Sequence, residues 1–169
     1  LSCSSAASDV YKRQTITTAK LFFILFGALI FSNFVNRAGL PDGLIGIVNA
    51  FDLSPLGVIF IILLIYVLLG CVFESLSMIL LTVPIFAPVV ANLGFDLIWF
   101  GILVVVVTEI SLITPPIGLN VFVLKGVLKD VPVTTIFKGV TPFWVADIFR
   151  LILLASVPSI ALLLPQMMN

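Results

Sequence analysis

Residues Thr114-Pro115-Pro116-Ile117-Gly118-Leu119-Asn120 set two prolines, a glycine and polar side chains inside an otherwise apolar run. A helix cannot pass through this stretch intact. Pro115 and Pro116 donate no backbone N–H and their rings collide with the preceding turn, so at least two carbonyls near Glu109–Ile113 lose their intrahelical partners. In hydrocarbon such a break is tolerated where the backbone is buried in protein or lines a polar cavity, which is how transporters build ion and substrate sites near the membrane midplane. The alternative is a proline kink that only bends a helix.

Two carboxylates, Glu74 and Glu109, lie in sequence of membrane depth, where each would cost about 2.5 kcal/mol or more if it faced lipid at a helix centre. Glu74 reads either as a group that orders ion-binding carbonyls at the tip of a helical hairpin or as a snorkelling interfacial residue. Glu109, about one turn before the proline break, reads as an acceptor for donors freed there, as a participant in ion coupling, or as a structural bond to a neighbouring helix. Around these two places gather the neutral oxygens of Ser75, Ser77, Thr108, Ser111, Thr114 and Asn120. Taken singly, such residues in a membrane serve helix packing more often than ligation. Gathered at two backbone breaks, they match the oxygen shell that a dehydrated Na⁺ takes from half-helix ends. The expected ion and substrate site therefore comprises Glu74, Ser75, Ser77, Thr114, Pro115, Pro116, Gly118 and Asn120, with Na⁺ near Ser77, Thr114 and Gly118. Glu109 keeps proton coupling open as the alternative.

The elements that must position these groups are membrane helices. The chain is 62% hydrophobic and only 9% charged, with a mean hydropathy of +1.35, against a charged fraction of about 25% in ordinary soluble domains. With no histidine and two cysteines, the commonest general base, the usual metal ligands and a disulfide framework are missing, which argues against an enzyme and against a resident cofactor. A net charge of zero leaves no basic footprint for nucleic acid.

At 1.5 Å per residue, about 20 apolar residues cross a bilayer. Residues 20–36 read as a first transmembrane helix, bracketed by Lys20 and Arg37, and 40–52 as an interfacial helix or connector. Residues 56–93 form two apolar arms meeting at Glu74 to Ser77, either a full-span hairpin or a re-entrant one whose tip stops at membrane depth. Residues 97–127 form a single crossing broken at Pro115-Pro116, and 143–164 a last helix carrying Asp147 and Arg150, which neutralise each other three residues apart. Lys20, Lys125, Lys129 and Lys138 fall on one side and Arg37 on the other, which places the lysines in the cytoplasm and lets the hairpin enter from outside. Residues 1–14 are set aside: Asp9-Val10-Tyr11-Lys12-Arg13-Gln14 resembles the translation of a sequencing adapter, so this stretch is expected to be non-native read-through and disordered.

Several of these segments together resemble a known family. Gly70-Cys71-Val72-Phe73-Glu74-Ser75, Pro84, Pro88, Gly94-Phe95-Asp96 and the run from Glu109 through Thr114-Pro115-Pro116-Ile117-Gly118-Leu119-Asn120 to Phe122 are similar to the C-terminal part of the large membrane subunit of tripartite ATP-independent periplasmic (TRAP) transporters. The likeness runs from about Lys20 to the end, with Glu74 where many relatives have aspartate. The resemblance implies an all-α integral protein of the bacterial inner membrane, an elevator-type multi-span bundle of which this chain holds only the second inverted repeat. It also implies uptake of an organic acid, such as a C4-dicarboxylate or sialic acid, driven by Na⁺. A periplasmic substrate-binding protein and a small membrane subunit would be the partners. As one repeat, the chain is not expected to transport alone. Two other readings stay open: a single-component carboxylate or anion carrier of the same broad superfamily, and a structural membrane subunit whose breaks are packing kinks.

Overall fold

The computed structural model describes the backbone of residues 2–115 and 118–167, and side-chain surroundings from residue 8 onward within those ranges. Among the described residues the chain is helical with no strand. The elements are α1 (Ser2–Arg37), α2 (Leu40–Ala50), α3 (Pro55–Gly70), α4 (Ser75–Asn92), α5 (Leu97–Ser111), α6 (Leu119–Val127), α7 (Val133–Ser156) and α8 (Pro158–Met167). By length and hydropathy α1, α4 and α7 can each cross a membrane. At 1.5 Å per residue, α3 and α5 reach only about 24 and 22 Å, short of a hydrocarbon core about 30 Å thick. The chain is thus an all-helical membrane protein that mixes full-length spans with short apolar helices.

Local chemistry sets most of the boundaries. Ser54 and Asp96 cap α3 and α5, the Ser54 hydroxyl accepting from Gly57 N at 3.2 Å and Asp96 Oδ1 from Ile98 N at 2.6 Å. Gly39, with φ 72°, turns the chain from α1 into α2, so of the two forms expected for 40–52 the chain takes the helix. The start of α1 differs from expectation. Residues 1–14, expected to be disordered, are helical from Ser2 and continuous with the first span. No proline or glycine interrupts the chain before Gly27, so nothing stops the helix from propagating, and the Thr15 and Thr17 hydroxyls fold back onto Tyr11 O and Arg13 O.

The last helix is also different. Expected as one element over 143–164, it starts at Val133 and is cut before Pro158, because the residue preceding a proline is driven out of helical geometry and Val157 sits at φ −127°, ψ 79°. Pro158 has no N–H to give to the carbonyl of Leu154, four residues back. That carbonyl is taken instead by the indole of Trp99, whose Nε1–H donates to Leu154 O at 2.8 Å. The expected Asp147–Arg150 pair forms, with Arg150 Nη2 3.0 Å from Asp147 Oδ1.

These bonds also fix directions. Since the start of α5 meets the end of α7, the two run antiparallel. In the α3–α4 hairpin, Thr82 Oγ1 lies 2.7 Å from both Tyr66 Oη and Met78 O. A hydroxyl carries one hydrogen, so Thr82 donates to Met78 O and the Tyr66 hydroxyl donates to Thr82, tying the arms together. Helix α5 is the axis of the fold. It packs against α3, α4, α7 and α8 and buries Trp99, Phe100, Leu103, Val104, Val107 and Ile110, while α1 and α2 lean on the outer side of α4.

Trp99→Phe keeps an aromatic ring in the core but leaves the Leu154 carbonyl unpaired, which should cost about 1–3 kcal/mol of stability, read as a lower melting temperature of the purified protein in detergent. Pro158→Ala returns an N–H to that carbonyl, so the Trp99 substitution should cost less in that background. Equal losses in the two backgrounds would refute the assignment.

Candidate functional site

The chain breaks at Leu112 to Gly118, as the two prolines require. Helix α5 ends at Ser111 and α6 begins at Leu119. Pro116 and Ile117 lie outside the described residues, so the expected role of Pro116 is carried by its missing N–H alone. In an unbroken helix, residues 115 and 116 would donate to the carbonyls of residues 111 and 112. Both carbonyls find other donors: Thr114 N lies 3.2 Å from Ser111 O, and Asn120 N lies 3.1 Å from Leu112 O. The second bond spans the break and fastens α6 to the end of α5. Gly118 makes this return possible. Its φ of 51° lies in the left-handed region that costs a residue with a Cβ about 1–2 kcal/mol. A Cβ there would also stand 3.2 Å from Phe137 Cε1.

Thr114 is the buried polar group of the break, 6% exposed. Its hydroxyl donates to Ile110 O at 2.7 Å and accepts from Trp144 Nε1 at 2.9 Å. Beside this bond a cavity of about 110 Å³ is lined by Ile113, Pro115, Phe137, Val140, Thr141 and Trp144. One turn back along α5, Ser111 is fully buried and donates to Thr108 O at 2.6 Å. The Thr108 hydroxyl is buried without a hydrogen-bond partner among the described residues.

The hairpin tip is built around Glu74. Its Oε1 accepts from Leu76 N at 3.0 Å, and its Oε2 accepts from Ser77 N and from the Ser77 hydroxyl, each at 3.1 Å. Glu74 is thus the N-cap of α4, a position where carboxylate and hydroxyl side chains pair with otherwise orphaned donors. In this connector, between the helical spans, the Leu76 N–H above all holds the Glu74 carboxyl below its usual range; desolvation opposes it, and the Ser77 N–H and hydroxyl add to the lowering. Glu74 itself is exposed and Ser75 half-buried.

Tip and break meet where Gly70 lies against the Ser111 side chain rather than through Ser77 and Thr114. Gly70, the last residue of α3, packs directly on Ser111, with the Met78 methyl from the first turn of α4 also at hand. No hydrogen bond among the described residues joins Ser77 to Thr114; the Ser77 hydroxyl turns back to Glu74. Asn120 contributes its backbone N–H, and its side chain is exposed. Glu109 does not reach the break. It stands exposed on the side of α5 that also presents Ile98, Gly101 and Val105, because one residue of helix turns it away from the buried Thr108 and Ile110, and the N–H groups of Thr114 and Asn120 are already used. The partners that sequence reasoning missed are Gly70, Trp144 and Phe137. An indole N–H in an apolar helix needs an acceptor once buried, a signal that could have drawn attention to Trp144.

A Cβ at Gly70 would land on the Ser111 side chain. Gly70→Ala is therefore expected to cost about 1–3 kcal/mol, the usual penalty of overpacking, and to lower the melting temperature. Ser111→Gly in the same chain should restore much of it; no rescue would mean that the contact is not the cause.

Comparison with known proteins agrees with this architecture. The family model described as "Tripartite ATP-independent periplasmic transporter, DctM component" matches residues 5–160. The sialic acid TRAP transporter large permease protein SiaM of Vibrio cholerae is 33% identical over 159 residues, 94% of this chain and 37% of that protein. The C4-dicarboxylate TRAP transporter large permease protein DctM of Pseudomonas aeruginosa is 32% identical over 149 residues, covering 88% of this chain and 35% of the relative. The ectoine/5-hydroxyectoine TRAP transporter large permease protein UehC of Ruegeria pomeroyi is 31% identical over 165 residues, 95% of this chain and 38% of the relative. The chain thus spans little more than a third of the length of these relatives. The chain belongs to the DctM-component family of tripartite ATP-independent periplasmic transporters, whose members are inner-membrane transport proteins rather than enzymes.

Proposed function

We propose that the chain forms the C-terminal part of the large permease of a Na⁺-coupled TRAP transporter that imports an organic acid. A periplasmic binding protein delivers the acid, and a small membrane subunit stands beside the permease. The observation that carries this reading is the meeting of hairpin end and broken helix at Gly70 and Ser111. Helix C-termini collect partial negative charge and N-termini partial positive charge. The break sets the C-terminal carbonyls of α5 beside the start of α6, so one place offers carbonyl oxygen to a cation, while the partial positive charge of a helix start favours an acid group. Thr114 keeps an acceptor direction free, and the Thr108 hydroxyl, unpartnered among the described residues, adds another oxygen further back along α5. Ser77 and Gly118 frame the same end of the bundle.

The relatives are named for sialic acid, a C4-dicarboxylate, ectoine and isethionate, at 33, 32, 31 and 28% identity. All four compounds carry a carboxylate or sulfonate, and the identities are too alike to choose among them. An organic acid is therefore the substrate class. Transport would proceed by elevator-type movement, with this chain as the second of two inverted repeats and the hairpin re-entering from the periplasmic side.

Two experiments on the complete permease, assembled with its partners, test the proposal. In liposomes, an imposed Na⁺ gradient should drive uptake, and Thr114→Ala should raise the half-saturating Na⁺ concentration about tenfold or more, with a smaller shift for Ser77→Ala. Uptake that ignores Na⁺ and follows a pH gradient would transfer attention to Glu109. Separately, cysteines at Ser75 and Ser77 should react with a membrane-impermeant thiol reagent from the periplasmic side and be protected by Na⁺ with substrate. Labelling from the cytoplasm alone, without protection, would rule out the re-entrant geometry.

A further inference from the structure

We propose that Trp144 is the positioning residue that holds the Thr114 hydroxyl in place for the cation, making α7 part of the site rather than only a span of the bundle. The inference rests on the Na⁺ reading of Thr114 given above. A threonine hydroxyl has one hydrogen to donate and two directions from which to accept. At Thr114 the hydrogen is directed to Ile110 O at 2.7 Å, and one acceptor direction is filled by Trp144 Nε1–H at 2.9 Å. One acceptor direction remains, and the two bonds fix where it points. Since Thr114 is 6% exposed, bulk water does not stand in for a lost partner.

The donor comes from a helix thirty residues further along the chain, so the hydroxyl's orientation depends on where α7 sits. That position is itself set from the other end. The chain contains two tryptophans, and both donate across the α5–α7 pair: Trp144 to Thr114 near the break, and Trp99 to Leu154 O at the opposite end. Helix α7 is thereby pinned to α5 at two points, with the ring of Trp144 forming one wall of the 110 Å³ cavity next to Pro115. A phenyl ring at position 144 would fill much of the same space without donating, which separates the hydrogen bond from packing.

The test uses the complete permease assembled with its small subunit and binding protein. Trp144→Phe should raise the Na⁺ concentration for half-maximal uptake between about threefold and tenfold, the worth of one hydrogen bond, while maximal uptake at saturating Na⁺ stays within about twofold. The Na⁺ concentration at which the melting temperature of the purified complex begins to rise should move by the same factor. In a Thr114→Val background, Trp144→Phe should add no further shift in either readout, since its partner is gone. Val140→Ala, which alters the same cavity without touching the hydrogen bond, should leave the Na⁺ dependence unchanged. If Trp144→Phe does not assemble, the ¹⁵N indole signal of Trp144 in the wild-type complex should still shift with Na⁺ at the midpoint seen for uptake. A loss of maximal uptake at unchanged Na⁺ half-saturation, an equal shift from Val140→Ala, or an indole signal indifferent to Na⁺ overturns the inference. A Thr114→Val effect without a Trp144→Phe effect overturns it while leaving the Na⁺ site standing, whereas a wild type whose uptake and melting both ignore Na⁺ removes the site and the inference together.

Discussion

A backbone carbonyl released by proline inside a membrane must find another donor, because hydrocarbon supplies none. Three such carbonyls organise this chain. Pro115 releases Ser111 O, Pro116 releases Leu112 O, and Pro158 releases Leu154 O. The replacements come from Thr114 N, from Asn120 N and from the Trp99 indole. The first two are local and shape the break itself, drawing α6 back onto the end of α5. The third is distant and converts a gap in α7 into a tie between the last long helix and the centre of the bundle. Through these acceptors Pro116 joins α6 to α5 and Pro158 joins α7 to α5, whereas Pro84, Pro88, Pro142 and Pro165 sit inside helices.

Charge is handled with the same economy. Glu74 spends its two oxygens on the first turn of α4, where the partial positive charge of a helix start favours a carboxylate. That arrangement makes the hairpin tip electrically self-sufficient and leaves its packing to Gly70 and Ser111. Lys125 plays a comparable part after α6, donating to Lys129 O at 2.7 Å and Val131 O at 2.8 Å and so closing the connector into α7. Glu109 differs from both. It stands on an uncovered stripe of α5 with Gly101 and Val105, and a carboxylate at such depth calls for a polar neighbour in the assembled transporter.

Family membership gives these features a setting. Relatives that share about a third of their residues with this chain, and of which it covers little more than a third, are named for different substrates. The hairpin, the broken helix and the contact of Gly70 with the Ser111 side chain lie within the stretch shared with relatives of all these names.

Much of the fold was legible because membrane physics leaves few choices. Hydropathy and length marked the apolar segments, Glu74 and Asp96 marked helix starts, and Pro115-Pro116 marked the break, since a missing N–H is a property of the residue and needs no context. Helix ends at Ser2, Val133 and Pro158 were misjudged where expectation leaned on polarity and span length rather than on the absence or presence of a breaker. The site was only half readable. The sequence alone marked Thr114 and Gly118 as special, but which groups they meet depends on how helices far apart in the chain pack. That Ser77 turns to Glu74 rather than to the break, that Gly70 lies against Ser111, and that Trp144 reaches Thr114 across thirty residues were decided by tertiary structure. Periodicity gives a residue its face on a helix, whereas the partner across that face is set only when the helices are brought together.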